Sequence, residues 1–222
     1  MYAKNSFSLH LLHPKYFLTW LGVFILFLLV QLPYTWLLFL GKHLGLLSRF
    51  FIKRRVSIIK KNLELCFPNK SKKDIDKLVM ENLSALGIAL FETGMAWFWS
   101  DNRLKNIYQV DGITNFFGLK GTTFSPFFSV KETSTSKGAV ILAKLSGAPS
   151  LTVTLVRNHG HDNKKYSLII GKELHNYPTE NIQNDTDRMN HLIEIEIMRA
   201  PEQYLWAHRR FKTRPKGEAS FY

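Results

Sequence analysis

A long apolar stretch without a single charged residue dominates the hydrophobic pattern of the chain and covers residues 16–40. At about 1.5 Å of rise per residue, a helix of this length can cross a hydrocarbon layer about 30 Å thick. The stretch continues to its end with Trp36, Leu37 and Phe39, whereas a cleaved signal peptide ends at small residues. The pattern therefore predicts a retained transmembrane helix, in which Pro33 would introduce a kink.

The charges on either side of this stretch predict its orientation. Lys4 and Lys15 precede it, and a larger group of cations follows it. Because membrane proteins keep such cations on the cytoplasmic side, we expect a membrane anchor over residues 1–43 and a cytoplasmic domain over residues 44–222. The cations that follow are Lys42, Arg49, Lys53, Arg54, Arg55 and Lys60.

Two segments with helical periodicity follow the apolar stretch. Between residues 44 and 65, apolar side chains are interleaved with cations. This pattern is typical of a helix at an anionic lipid surface, and equally of a core helix with a solvated basic face. Pro68 ends the segment, and Ser71 followed by Asp74 predicts the start of the next helix. Apolar residues then recur at helical spacing from Ile75 to Leu90, so we expect one buried face.

The second half of the chain mixes short strands with helices, which predicts an α/β domain. The predicted strands are Ile107–Val110, closed by a turn at Asp111 and Gly112, then Leu151–Val156 and Tyr166–Ile170. The predicted helices are Ser136–Leu145 and Asp185–Arg199. We expect Gly147 to end the first of these helices and Pro201 to end the second.

The composition of the chain excludes several classes of protein and indicates the charge of a partner. Lys and Arg number 30 against 17 Asp and Glu, a formal net charge of +13, so we expect an acidic partner. Hydrophobic residues make up 45% of the chain, too many for a disordered basic tail. Cys66 is the only cysteine, which excludes a disulfide-linked scaffold and a cysteine-rich zinc site. The sequence contains no recognisable nucleic-acid-binding module, and we expect no metal or other cofactor.

Three segments carry a family resemblance: RRVSIIKKNLELCFPNKS (54–71), ETGMAWFW (92–99) and APEQYLWAHRRFKTRP (200–215). With the apolar N-terminal stretch in front of them, they resemble the lipid A biosynthesis lauroyl acyltransferases of Gram-negative bacteria, inner-membrane enzymes of the late acyltransferase family. The resemblance implies a glycerolipid-acyltransferase-like α/β domain behind a transmembrane helix. It also implies transfer of a lauroyl-type acyl chain from acyl carrier protein to a Kdo-lipid A precursor in lipopolysaccharide biosynthesis.

The middle of the chain departs from the family pattern. Family members carry a histidine, and an acidic residue five positions later, after the strand that corresponds to Ile107–Val110. The histidine acts as general base on the acceptor hydroxyl, and the carboxylate orients it. Here residues 111–113 lead directly into residues 116–120, so we expect a family segment with this pair to be absent near residues 112–117 and the central sheet to be incomplete.

Two functions remain open on this basis. One is the acyl transfer of the family. The other is that of an internally deleted, non-catalytic remnant, which keeps its membrane anchor and binds anionic lipid.

Two histidines have the spacing of the family pair. They are His175 with Glu180 and His191 with Glu196. On a helix, at about 100° per residue, His191 and Glu196 would lie about 140° apart and could not face one substrate. His175 and Glu180 flank a loop that could bring them together, so they are the one candidate stand-in for the catalytic pair. We favour the alternative that His175 is an ordinary solvated loop residue, and we assign no catalytic residue.

A basic cluster near the C-terminal end is the candidate substrate-binding site. It consists of Arg209, Arg210, Lys212 and Arg214, to which the resemblance adds Lys120. Such side chains bind phosphate and carboxylate groups through charge-assisted hydrogen bonds. The cluster fits a phosphorylated sugar lipid and an acidic acyl carrier protein, or else forms a solvated or lipid-facing surface.

Glu92 and the aromatic residues that follow it allow two interpretations. Trp97, Phe98 and Trp99 either line a groove for the acyl chain or pack in the core, and we favour the core.

Overall fold

The computed structural model describes residues 13–105, 107–110, 122–158 and 164–222. The predicted turn at Asp111 and Gly112, the proposed junction near residues 112–117 and Lys120 lie outside these ranges. The helices are α1 (Phe17–Leu29), α2 (Tyr34–Ser48), α3 (Lys53–Cys66), α4 (Lys72–Phe98), α5 (Asp101–Lys105), α6 (Gly138–Ser146) and α7 (Ile182–Ile197), with 3₁₀ turns at Pro14–Tyr16 and Pro201–Gln203. The strands are β1 (Tyr108–Val110), β2 (Thr122–Phe127), β3 (Val130–Ser136), β4 (Val153–Arg157) and β5 (Tyr166–Ile170).

The apolar N-terminal stretch forms two helices, so the prediction of one continuous helix over residues 16–40 is wrong, and the membrane anchor over residues 1–43 stays a prediction. Helix α1 ends at Leu29 and α2 begins at Tyr34. Pro33 directly precedes α2, and its missing N–H and fixed φ favour a helix start over a helix interior. No helix in the described ranges combines the length and the apolar character that crossing a bilayer requires.

Side chains from the end of α4 and from α5 close the corner between α1 and α2. The indole Nε1 of Trp99 donates to the carbonyl oxygen of Val30 at 2.7 Å. The guanidinium of Arg103 donates to the Gln31 side-chain oxygen at 3.1 Å and to the Leu32 carbonyl at 3.4 Å. These donors satisfy carbonyls that have no helical partner at the corner, so hydrogen bonds from side chains stabilise the break between α1 and α2.

Helices α2 and α4 pack closely because glycines face each other at their crossing. A Cβ built on Gly87 of α4 would collide with the backbone oxygen of Gly41 and lie 2.7 Å from the Cα of Gly45. Glycine is therefore required at this crossing for the two backbones to approach as they do.

Two clusters of buried apolar side chains form the core, one at each end of α4. The predicted buried face of this helix is confirmed for most of its length, but Leu90 is exposed. The first cluster includes Leu63, Cys66, Ile75, Val79, Leu83, Phe127, Trp206 and Phe211. The second, under the α1–α2 corner, consists of Val30, Leu37, Phe91, Met95 and Trp99.

Two buried asparagines fix a segment that we call the C-terminal strap, residues 202–208. The amide Nδ2 of Asn62 on α3 donates to the carbonyls of Trp206 and His208 at 2.7 and 2.8 Å. That of Asn82 on α4 donates to two carbonyls earlier in the strap, also at 2.7 and 2.8 Å. Beyond the 3₁₀ turn at Pro201–Gln203, the strap thus runs across α3 and α4 without a helix or strand of its own.

The strands form a three-stranded sheet and a separate hairpin. In the sheet the order is β1-β5-β4, with β1 parallel and β4 antiparallel to β5. Strands β2 and β3 form the antiparallel hairpin. The α/β class is confirmed, β5 has the predicted bounds, and Gly147 ends α6 with a left-handed φ of 63°.

The α2–α4 crossing leads to a prediction about stability. We expect Gly87→Ala to lower the free energy of unfolding by about 1–3 kcal/mol, because the added methyl group must push the two backbones apart. Gly22→Ala is the matched control, since its helix α1 leaves the new Cβ with nothing within 4 Å. It should be neutral or stabilise by up to about 1 kcal/mol. Urea unfolding of the two variants measures the difference, and equal effects would contradict the packing argument.

Candidate functional site

An open groove lies between β4, α6 and α7. Its volume is about 790 Å³. The residues along it are mostly apolar, and they include the loop residues Leu174 and Tyr177 and the strap residue Tyr204. Its aliphatic side chains include Leu142 and Ala143 of α6, Leu155 of β4, and Leu192, Ile193 and Ile197 of α7.

The groove carries little charge. Among the described residues that line it, none is Lys, Arg or His. Its carboxylate, Glu196, accepts hydrogen bonds from Arg199 at 2.5 and 3.2 Å, and this partner lowers the pKa of Glu196. Burial raises the pKa values of Tyr177 and Tyr204, so both phenols are neutral at physiological pH.

The side chain of Gln203 closes one end of the free edge of β4. Its carboxamide oxygen accepts from the backbone N–H of Arg157 at 2.9 Å, and its Nε2 donates to the Arg157 carbonyl at 3.0 Å. The amide thus occupies the position that a neighbouring strand would take.

The predicted catalytic stand-in is not assembled in this structure. The carboxylate of Glu180 accepts from Lys144 Nζ at 2.6 Å, and no hydrogen bond joins it to His175. The backbone carbonyl of His175 accepts from Arg188 at 2.9 Å. The ring of His191 lies 3.7 Å from Glu194, a different residue from the Glu196 that the spacing suggested.

The predicted substrate-binding cations divide into two groups. Arg210 donates to Thr135 Oγ1 at 3.0 Å and to the Ser134 carbonyl, and burial lowers its pKa. Arg214 donates to the Glu132 carbonyl, so both guanidinium groups fasten the C-terminal segment to β3.

The remaining cations of the cluster are more accessible. Lys212 is exposed, and the Arg209 guanidinium lies 5.4 Å from the ring centre of Tyr222. Their binding of phosphate stays a prediction, as does that of Lys120. No cluster of ligands suited to a metal ion is found within the described ranges.

A buried polar network lies between α4 and the three-stranded sheet. The guanidinium of Arg157 donates to both carboxylate oxygens of Glu92, at 2.6 and 2.8 Å. The phenol of Tyr166 donates to Glu92 at 2.6 Å, and Tyr34 at the start of α2 donates to Tyr166 at 3.1 Å. Burial raises the pKa of both phenols. The sequence drew attention to Glu92, but nothing in it indicated the distant Arg157 as its partner.

A large apolar surface, which we call the outer face, lies on α1, α2 and the segment that follows α2. Phe51 is 80% exposed at its edge, and the exposed cations Arg49, Lys53 and Arg54 adjoin it in the chain. Of the aromatic residues 97–99, Trp97 is exposed, whereas Trp99 is buried in the core, as the sequence analysis favoured. Other exposed residues of the outer face include Phe17, Leu18, Phe24, Leu28, Trp36, Phe39, Leu47 and Phe50.

Comparison with known proteins gives consistent matches over the chain. The family described as bacterial lipid A biosynthesis acyltransferase matches residues 4–121 and 117–213. The lipid A biosynthesis palmitoleoyltransferase of Escherichia coli (strain K12) is 38% identical over 308 residues, covering 100% of both chains. The lipid A biosynthesis lauroyltransferase of the same organism is 32% identical over 303 residues, covering 98% of each. A lipid A biosynthesis acyltransferase of Haemophilus influenzae is 28% identical, covering 95% of each.

The lengths of these comparisons bear on the middle of the chain. The match with the palmitoleoyltransferase extends over 308 residues, 86 more than the 222 of this chain. The two family matches meet at residues 117–121, beside the junction where the sequence analysis predicts an absent segment. The absent segment itself stays a prediction.

The buried network leads to a second stability prediction. Glu92→Ala should lower the free energy of unfolding by about 3 kcal/mol, because it leaves the buried Arg157 guanidinium without its counter-ion. The side chains of this pair are 8% and 24% exposed. The matched control is Glu180→Ala, which breaks an ion pair of the same 2.6 Å length whose side chains are 41% and 94% exposed. Its effect should stay below about 1 kcal/mol. Equal losses in denaturant unfolding would show that burial does not set the strength of the Glu92–Arg157 pair.

Proposed function

We propose, since this protein belongs to the bacterial lipid A biosynthesis acyltransferase family, that it transfers an acyl chain to a lipid A precursor at an anionic membrane surface. The acceptor would be a hydroxylated acyl group of a Kdo-lipid A precursor, and the donor an acylated acyl carrier protein. The curated relatives include a lauroyltransferase and a palmitoleoyltransferase, so a lauroyl-type chain is one of two candidates that the donor could carry.

The outer face is the observation that carries this proposal. Aromatic and aliphatic side chains there are exposed over α1, α2 and the following segment, whereas the exposed apolar residues of an ordinary soluble surface are scattered singly. Cations adjoin its edge at Arg49, Lys53 and Arg54. Apolar side chains beside cations match the acyl chains and anionic headgroups of a lipid surface, where the acceptor lipid resides.

Within the described ranges, His175 and Glu180 do not form a pair, and this observation leaves a second candidate function open. Transfer to a hydroxyl needs a proton acceptor within hydrogen-bonding distance, and a positioned general base contributes about 10²–10⁴ in rate. In the described ranges, Glu180 is paired with Lys144 instead of His175. The second candidate is a non-catalytic member of the family that binds anionic lipid at the outer face.

An acylation assay separates the two candidates. The purified chain is incubated with lauroyl- or palmitoleoyl-acyl carrier protein and a purified Kdo-lipid A precursor, with the E. coli palmitoleoyltransferase as positive control. An acylated product supports the acyltransferase, and its loss in both His175→Ala and Glu180→Ala would assign the stand-in pair. No product from a folded chain that still binds anionic vesicles would support the second candidate and overturn the first.

Lipid binding at the outer face leads to a prediction shared by both candidates. Replacing Lys53 and Arg54 by Gln should weaken binding to phosphatidylglycerol vesicles about 30-fold, because each cation near an anionic surface contributes about 1 kcal/mol. Binding to phosphatidylcholine vesicles should not change. Vesicle sedimentation at low and high salt measures both effects, and salt should reduce only the first.

The matched control is the replacement of Lys72 and Lys73 by Gln. These cations are also exposed, but they lie beyond the far end of α3, whose 14 residues extend about 20 Å from the edge of the outer face. This distance exceeds a Debye length of about 10 Å, so the effect should be small. Equal losses in the two double variants would show that net charge, and not the outer face, determines binding.

A further inference from the structure

We propose that two copies of this chain pair through the free edge of β4, in an antiparallel arrangement whose two-fold axis passes beside Val153. The inference rests neither on the acyl transfer nor on the lipid binding proposed above. The surface concerned is the edge where the three-stranded sheet ends and the groove begins, and the outer face takes no part in it.

The backbone groups of β4 alternate between its two sides. The carbonyl of Thr152 accepts from the N–H of Gly171 at 2.8 Å, so this residue faces the side of β5. Every second residue of an antiparallel strand faces the same neighbour. The N–H and carbonyl groups of Val153 and Leu155 therefore face away from β5, and no hydrogen bond to them is found in the described ranges.

The middle of this edge lacks the features that protect natural edge strands from one another. Such strands carry charged side chains or prolines along the edge. Residues 150–156 contain neither, although the chain has 30 Lys and Arg. Val153 and Leu155 are 40% and 62% exposed, and the groove beside them is open. Another strand can therefore approach to the usual spacing of about 4.8 Å.

The two ends of the edge make it complementary to a second copy of itself. Gln203 already pairs with the N–H and the carbonyl of Arg157, so this residue needs no further partner. In an antiparallel pair centred on Val153, Arg157 lies opposite Pro149 of the second copy, which has no N–H to donate. An unrelated polypeptide has no proline fixed at this point, so the edge favours a second copy as its occupant.

The same register pairs the free backbone groups in between. Val153 lies opposite its own copy, and Leu155 lies opposite Leu151. Leu151 continues the free edge, since the carbonyls on either side of it accept bonds from residues just after β5. A pair centred on Thr154 would instead place Leu151 opposite the occupied Arg157. The register centred on Val153 thus forms the most bonds, and both copies use the same patch, as a closed two-fold dimer requires.

Sedimentation equilibrium of the full chain tests the proposal. A density-matched non-ionic detergent covers the outer face, and the mass should rise with protein concentration from 25.8 kDa towards twice that value. Higher salt should strengthen the dimer, because it screens the repulsion between two copies of net charge +13. This effect is opposite to the one expected for vesicle binding. A mass that stays at 25.8 kDa at every concentration and salt would overturn the proposal.

Two charge variants locate the contact. Val153→Lys and Val153→Glu each place like charges opposite each other at the two-fold axis, which should weaken the dimer at least about tenfold. A mixture of the two variants should regain a dimer, since Lys then faces Glu. Leu145→Lys and Leu145→Glu are the matched controls, because Leu145 is 72% exposed on α6 but does not line the groove. These controls should associate as the parent chain does.

Two results with these variants would overturn the proposal. One is a dimer of the parent's affinity in both Val153 variants, which would place the association elsewhere, for example at the outer face. The other is a mixture that stays monomeric, because opposite charges would then not meet at Val153. The position is exposed, so both chains should fold, as circular dichroism and urea unfolding will check. Both should bind phosphatidylglycerol vesicles as the parent does, so failure of the proposed function would leave this test intact.

Discussion

The hydrogen bonds of two buried asparagines to the C-terminal strap are the constraint on which the rest of the structure depends. Buried backbone carbonyls need donors, and beyond the 3₁₀ turn at Pro201–Gln203 the strap has no helix or strand to supply them. Asn62 and Asn82 supply two bonds each. They hold Trp206, which is 1% exposed, in the core between α3 and α4. The same strap carries Tyr204 into the groove, so the position of the groove depends on these two amides.

A single helix connects the two candidate surfaces. Helix α4 has 27 residues and is therefore about 40 Å long. It holds the outer face through the α2 crossing at Gly87 and, just beyond its last turn, through the bond from Trp99 to the α1–α2 corner. It holds the groove side through Asn82 and through the ion pair of Glu92 with β4. The relative position of the outer face and the groove is thus set by one rigid element.

The sequence predicted the elements whose signals are local. The bounds of β5 and the end of α6 at Gly147 depend on β-branched residues and on a residue that adopts positive φ, both of which can be recognised in a short window. The prediction of a single helix over residues 16–40 failed because hydropathy does not reveal the hydrogen-bond donors of Trp99 and Arg103. These donors stabilise the break between α1 and α2. Arg157 likewise lies 65 residues from its partner Glu92.

The candidate site was predictable only in part for the same reason. The C-terminal cations were recognised as a cluster, but the carbonyls of β3 that bind Arg210 and Arg214 are not visible in a charge pattern. The groove is lined by small and aliphatic residues of α6, β4 and α7, none of which has a chemical signature. The hairpin of β2 and β3 is rich in Ser and Thr, and its strands were not predicted because their pairing depends on partners across the turn.

The interactions that hold the fold together also join the two stretches that the family matches on either side of the proposed junction. Asn62, Asn82 and Glu92 lie in the first stretch matched by the family, and the strap and Arg157 lie in the second. The bonds of these three side chains therefore join the two stretches directly. None of them passes through the junction near residues 112–117. Removal of catalytic groups from an enzyme ends turnover without ending the binding of substrate, because binding and transition-state stabilisation use different contacts. The fold can accordingly retain the outer face and the groove whether or not a base is present to use them.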